Sequence, residues 1–325
     1  MKNKQPLVSI ITPSYNQGQF LEETIRSVLL QDYPKVEYII VDGGSTDNTA
    51  SIIDKYKHKL AWHVSEKDRG QSDAINKGFA KATGDIVAWI NSDDIYTEHA
   101  ISKAVNQLDK NPDLGMVYSN VLSIDSQSSI FNTMLYDDWG LEELLQFNII
   151  GQAGVFMRKD VLQSVNYLDT DFHYLMDHQL WLKIASQYLV KHIDDFWAAA
   201  RFHPLAKNIS QPSGFGDEAF RIYAWIQAQP DLQKCFNENE HKIKAGAYHL
   251  KARYLLDGGS NWEAFRTYLR CVFLNPTVLF QEKNRIMYSL INSIINIEKL
   301  KQHHHEGRSG KITLKNLNYL IDYLR

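Results

Sequence analysis

Over residues 7–12 the chain reads LVSIIT, an apolar, β-branched stretch closed by Pro13, and this pattern predicts a strand buried on both faces. Over residues 19–30, Phe20, Leu21, Ile25, Val28 and Leu29 recur at helical spacing until QDYP ends the helix. VEYIIVDGGSTDNT then predicts a second buried strand over 36–41, a turn, and a helix beginning between Thr46 and Thr49. The pattern repeats with a strand near 61–64, a helix over 72–82 and a strand over 86–90. Strands alternating with helices build βαβ units, hence an open α/β sheet with helices on both faces, whose ligands bind beyond the carboxyl ends of the strands. A helix over 97–108 and the strand LGMVYSN extend the series, after which the alternation weakens.

Beyond Gly214 the periodicity becomes helical with little strand signal, so we expect a catalytic-size α/β domain over 1–213 and a helical region over 214–325. AYHLKARYLLDGGSNWEAFRTYLRCVFLNP has the look of a helix pair, and one degenerate copy predicts a plain helical subdomain rather than a repeat array. The tract KQHHHEGRSG predicts an exposed bend, with metal binding by His303–His305 the lesser expectation.

Of the 325 residues, 44% are hydrophobic and 22% charged, enough apolar surface for a packed core. With 35 Lys and Arg against 38 Asp and Glu the net charge is −3, which excludes the diffuse attraction of a general nucleic-acid binder, so an anionic ligand must be held locally. Cys235 and Cys271 lack the spacing of a zinc or redox pair and predict packed thiols in a reducing compartment. The N-terminal apolar stretch is too short for a signal peptide and no span of about 18 uncharged apolar residues occurs, so a cytoplasmic location is expected.

Four polar clusters follow predicted strands or open helices. Asp42 ends the second strand, where a carboxylate accepts hydrogen bonds from a base or ribose, and the following glycines let a backbone approach a ligand; a plain βα turn accounts for the same residues. Asp93 and Asp94 follow the strand IVAWI, and adjacent acids there suit a hard divalent cation, Mg²⁺ or Mn²⁺, that neutralises a diphosphate; a helix cap is the alternative. Arg69 has the chemistry for a phosphate, with Asp73 orienting it or meeting a nucleoside, and a surface ion-pair loop is the plainer possibility. Asp177 precedes a helical pattern containing Leu180 and Trp181, where it is either an N-cap or a general base.

In their order, VSIITPSYNQGQFLEETIRSVLLQ, VDGGSTDNT, DRGQSDAINKGFAKATGDIVAWINSDD and MDHQLWLK resemble the family-2 glycosyltransferases of GT-A fold over roughly residues 6–208. The resemblance implies a nucleotide-sugar donor held by Thr12, Pro13, Tyr15 and Asp42, with ribose and metal held by Asp93 and Asp94. Asn91 stands where many members have Asp, which leaves the division of labour between Asp93 and Asp94 open. It also implies that Asp177 is the catalytic base, with Met176 replacing a usual acid, and that His203 in RFHPLAK completes the metal or diphosphate site. Lys207 of that segment and Gln152 in GQAGVF join Arg69, Asp73 and Asn91 as expected contacts to the nucleotide-sugar.

A single carboxylate base suffices for displacement with inversion, and no second carboxylate is nominated as a nucleophile for retention. We therefore expect an inverting transferase; what the resemblance implies beyond that is a donor sugar linked to UDP by preference and, as acceptor, a hydroxyl of a glycan or lipid-linked saccharide in cell-surface polysaccharide synthesis. Peripheral association with the inner membrane face is compatible with that acceptor. The alternatives are a nucleotidyltransferase, against which TPSYNQGQF offers no Lys or Arg, and a helical interaction protein on an inactive transferase scaffold.

Overall fold

The computed structural model describes residues 5–295, so the His303–His305 tract lies outside the described residues. Contacts divide the chain into two compact units: one runs to Ala206 without Leu145–Phe147, the other comprises those three residues and the chain from Lys207 onwards. The division expected from the change in sequence periodicity lay at 213/214.

The first unit follows the alternation of its apolar pattern. In chain order it contains β1 (Val8–Ser14), α1 (Gly18–Leu29), β2 (Val36–Asp42), α2 (Thr49–Tyr56), β3 (Trp62–Ser65), α3 (Gln71–Lys81) and β4 (Ile86–Trp89). Then come β5 (Ile95–Tyr96), α4 (Ala100–Lys110), β6 (Leu114–Ile124), β7 (Ile130–Met134), α5 (Leu141–Leu145), β8 (Val155–Arg158), α6 (Lys159–Ser164), α7 (Met176–Ala185) and β9 (Leu189–Arg201). The strands form one sheet in the order β3-β2-β1-β4-β8-β6-β9-β5, with β7 paired to β6. β1 is parallel to both β2 and β4, and β2 to β3, so these four strands end on one edge. β8 runs antiparallel to β4 and β6, and β9 returns parallel to β6 through several register shifts.

Burial on both sheet faces explains the near-continuous hydrophobicity of β1 and β4. Val8, Ile10, Ile86 and Ala88 pack with Leu21 and Ile25 of α1, Ile52 of α2 and Ile101 and Val105 of α4. On the other face Phe79 of α3 meets Trp89 edge-on, and Trp181 of α7 stacks on Trp89 at 5.4 Å between ring centroids.

The second unit is helical: α8 (Lys207–Ser210), α9 (Pro212–Ala228), α10 (Gln233–Asp257), α11 (Asn261–Leu274), α12 (Thr277–Gln281) and α13 (Lys283–Ile295). α10 packs against both α9 and α11, and Ala252, Leu256, Ala264, Tyr268 and Ile286 form a core between helices. Cys271 is buried with its thiol on the Ala245 carbonyl (3.1 Å), and neither cysteine forms a disulfide.

Candidate active site

The carboxyl ends of β1, β2, β3 and β4 bring the first three polar clusters to one edge of the sheet. Asp42 ends β2 fully buried, and its two oxygens accept hydrogen bonds from the Ser45 amide and hydroxyl and from the Ser65 hydroxyl. It therefore holds the βα turn together, in place of the projecting carboxylate that its strand-end position suggested. Thr12 and Pro13 are buried within β1, and the Thr12 hydroxyl pairs with that of Tyr38 at 3.0 Å. Tyr15, the residue directly after β1, presents its ring to solvent at 62% exposure.

At the end of β4 the two adjacent acids have different surroundings. Asp94 is buried, its Oδ1 accepting from the Arg201 amide (2.9 Å) and its Oδ2 from the Asn91 side chain (3.2 Å). Burial, and after it the charge of Asp93, pushes the Asp94 carboxyl well above the usual carboxylate range, against the pull of the Arg201 amide and Asn91. Asp93 instead meets His203, whose Nε2 lies 3.0 Å from Asp93 Oδ2. The juxtaposition spans 110 positions of sequence. It follows from β5, which leaves the acid loop and pairs antiparallel with the end of β9, Ile95 opposite Ala199.

Arg201 locks this corner. Its side chain, 1% exposed, donates to the Asp93 carbonyl (2.8 Å), the Asp125 carbonyl (3.0 Å), the Ser128 hydroxyl (2.9 Å) and Glu23 of α1 (2.7 Å). The guanidinium also lies 4.8 Å from the Phe20 ring centroid, and Phe20 touches the His203 ring.

The metal that the resemblance implies can be tested against this donor set. An imidazole nitrogen beside a carboxylate oxygen, with the other ring nitrogen of His203 buried and without a hydrogen-bond partner, offers the mixed N and O donors that Mn²⁺ accepts. Asp93 and His203 fit such an ion; the Asp94 oxygens already serve protein donors. Among the described residues no group of three or more His, Cys, Asp and Glu side chains surrounds a potential ion position, so remaining ligands would come from diphosphate and water.

Asp177 lies in the first turn of α7, half-buried, with one oxygen accepting the His178 amide (2.7 Å). Met176 is packed inward, its sulfur 2.8 Å from the Ser72 hydroxyl of α3, which also donates to the Phe172 carbonyl. Together with the Trp181–Trp89 stack, these contacts tie the start of α7 to α3 and to the end of β4. At that same end Gln152 donates to the Trp89 carbonyl (2.7 Å) and Gln71 to Asn91 (2.8 Å). The Tyr136 hydroxyl lies beside Gly151, its pKa raised by burial and secondarily by the charge of Asp177. Arg69 is largely exposed and pairs with Asp73 at 2.8 Å, and Lys77 joins both Asp73 and Glu66. Lys207 opens α8 in the second unit.

Sequence reasoning missed Arg201, Glu23, Ser65 and Tyr136. An arginine after the run FWAAA, before FHP, was a usable signal for the first; nothing local marks the others.

Residues 9–163 match the family model described as glycosyl transferase family 2. An uncharacterized glycosyltransferase of Rickettsia typhi is 30% identical over 187 residues, 55% of this chain and 58% of that one. The poly-beta-1,6-N-acetyl-D-glucosamine synthase of Staphylococcus epidermidis is 31% identical over 175 residues, 50% of this chain and 42% of that one. The chain thus spans about half the length of the curated relatives it matches. Among solved structures, S. aureus TarS 1-349 in complex with UDP-GlcNAc superposes with a TM-score of 0.59 at 18% identity, over 87% of this chain and 79% of that one. The mannosyltransferase PcManGT of Pyrobaculum calidifontis, in complex with GDP-Man and Mn²⁺, gives 0.57 at 18% identity, over 90% and 88%. At these identities the likeness establishes the GT-A fold with its C-terminal helical region.

Proposed function

We propose, from the match of residues 9–163 to the family model described as glycosyl transferase family 2, that this chain is an inverting, Mn²⁺- or Mg²⁺-dependent glycosyltransferase. It moves a sugar from a nucleoside diphosphate, UDP by preference, to a hydroxyl of a glycan or lipid-linked saccharide in cell-surface polysaccharide synthesis. The observation that carries the reading is the convergence at one sheet edge of the Asp93–His203 pair and, through the Trp89–Trp181 stack, of Asp177. The relatives named for polysaccharide synthesis and the neighbours bound to UDP-GlcNAc or GDP-Man support the substrate class.

In this reading Asp93 and His203 would hold the divalent ion, which when bound would offset negative charge on the departing diphosphate. Tyr15 offers an exposed ring to the nucleoside, while Asp42, with Ser45 and Ser65, keeps the turn beneath it in shape. Gln152 and Asn91 border the donor site. Asp177 accepts the proton of the acceptor hydroxyl as that oxygen bonds to the anomeric carbon. The bond from the same carbon to the diphosphate breaks on the opposite face, and its electron pair leaves with the nucleotide. No helix among the described residues is long and apolar enough to cross a membrane, and we place the enzyme at the inner membrane face as a peripheral protein.

Calorimetry tests the donor site without turnover. Replacing both Asp93 and His203 by Ala should abolish the Mn²⁺-dependent part of UDP binding while leaving the fold intact by circular dichroism. Equal Mn²⁺ dependence in the variant and the parent would remove both residues from the site.

A further inference from the structure

α11 turns Ala264, Thr267, Tyr268 and Cys271 into the helical unit. On its opposite side, at helical spacing, Trp262, Leu269 and Phe273 are 54%, 50% and 86% exposed, and Phe280 of α12 is 80% exposed. Scattered exposed apolar side chains are ordinary, but three on one helix face, two of them aromatic, mark an interaction surface. Arg266 and Arg270 fall on the same side, next to that stripe. Between α10 and α11 an open cavity of about 450 Å³ is lined by Lys244, Tyr248, Leu269, Arg270, Phe273 and Leu274.

Among the described residues no ion pair joins Lys244, Arg266 or Arg270 to an acid. Ion pairs of the described unit join Arg221 to Glu218, His249 to Glu282, Lys251 to Asp217, and Arg285 to Asp257 and Glu282. Lys244 and Arg270 lie over tyrosine rings instead, Tyr223 and Tyr248, each at 6.0 Å. α11 contains a single acid, Glu263. An aromatic and aliphatic stripe edged by basic groups without an ion pair among the described residues, on helices of 14 and 5 residues that are too short to span, has the composition of an interfacial membrane contact.

We propose that the α11–α12 face docks on a bilayer containing anionic lipid, with Trp262, Leu269, Phe273 and Phe280 entering the headgroup boundary and Lys244, Arg266 and Arg270 meeting lipid phosphates. Charge complementarity selects this occupant over a second copy of the chain. A two-fold contact through this face would oppose one copy's arginines to the other's, with Glu263 the one acid of α11 to offset them. The purpose of the docking, delivery of the site to a lipid-linked acceptor, rests on the transferase reading; the surface itself does not.

The full chain should co-sediment with vesicles containing phosphatidylglycerol, bind pure phosphatidylcholine vesicles much more weakly, and be released by salt. Arg266→Glu with Arg270→Glu should weaken the partition by more than roughly tenfold, since each basic group near an anionic surface contributes a severalfold gain. Phe273→Ser with Phe280→Ser should lower it as well, and both variants should keep the parent's helical circular dichroism because these positions are exposed. Vesicle binding that is absent in the parent, or unchanged in both variants, overturns the proposal. Self-association in sedimentation velocity without vesicles, lost in Phe273→Ser, also overturns it, in favour of a second copy. Metal-dependent donor hydrolysis measured without vesicles is a separate readout: its absence with vesicle binding intact would sink the transferase reading and leave this surface standing.

Discussion

Asp93 and Asp94 are chemically identical neighbours that their surroundings separate: one carboxylate is given to His203, the other is sealed under Asn91 and the Arg201 amide. Environment, rather than residue type, assigns the roles. Asp177 is a third case, half-buried at the start of a helix that Met176 and Trp181 pack on α3 and β4. Asp177→Asn keeps the size of the side chain and an oxygen for the His178 amide, so the helix start should hold. It cannot take up the acceptor's proton. We expect unchanged Mn²⁺-UDP affinity by calorimetry and transfer slower by at least about a hundredfold. Transfer near the parent rate would remove Asp177 as the base, and lost nucleotide affinity in a folded variant would make it a donor-site residue.

Between elements, the approach of α3 to β1 depends on one missing side chain. A Cβ at Gly78 would lie 2.5 and 2.9 Å from the two γ carbons of Ile11, which is fully buried and β-branched. Helix propensity alone favours Ala over Gly by about 1 kcal/mol, whereas overpacking a core contact costs about 1–3 kcal/mol. Because Ile11 is fully buried and its branched side chain has few rotamers, the second effect should win: Gly78→Ala should lower the urea midpoint with little change in slope. A raised midpoint would mean that α3 can shift outward, and the close contact would not be a constraint. The order of strands shows the same dependence on non-local fit. β1 to β4 are readable as apolar runs between turns, while the return of β9 beside β6 with shifted register has no local signature.

For the molecule as a whole, one buried imidazole links stability to acidity. Burial depresses His178 from 6.5 to about 4, so the folded chain resists a proton that the unfolded chain accepts. The stability this contributes is fully present above pH 6.5 and is lost as pH falls from there towards about 4, a span worth roughly 3 kcal/mol. Urea unfolding of the parent should therefore weaken across that window, and His178→Gln should flatten the dependence there even if it is less stable throughout. An identical pH profile in both proteins would show that His178 takes up its proton alike in the folded and unfolded chains, so that burial does not depress it.

How much of this was legible beforehand follows from range. Hydrophobic period sets local conformation, so LVSIIT, VEYIIV and IVAWI declared themselves as strands, and the polar tripeptides after them marked the edge where the site stands. The helical character of residues 214–295 was equally local. Tertiary structure alone decided that His203 meets Asp93 while Arg201 spans Glu23, Asp93 and Asp125, because those contacts join positions 76 to 178 residues apart. It also decided that Asp42 is closed over by Ser45 and Ser65, for a side chain's accessibility depends on which strand lies beside it. A periodic pattern specifies which face of an element is buried, but the partners on that face are chosen by sheet order and register, which no single segment encodes.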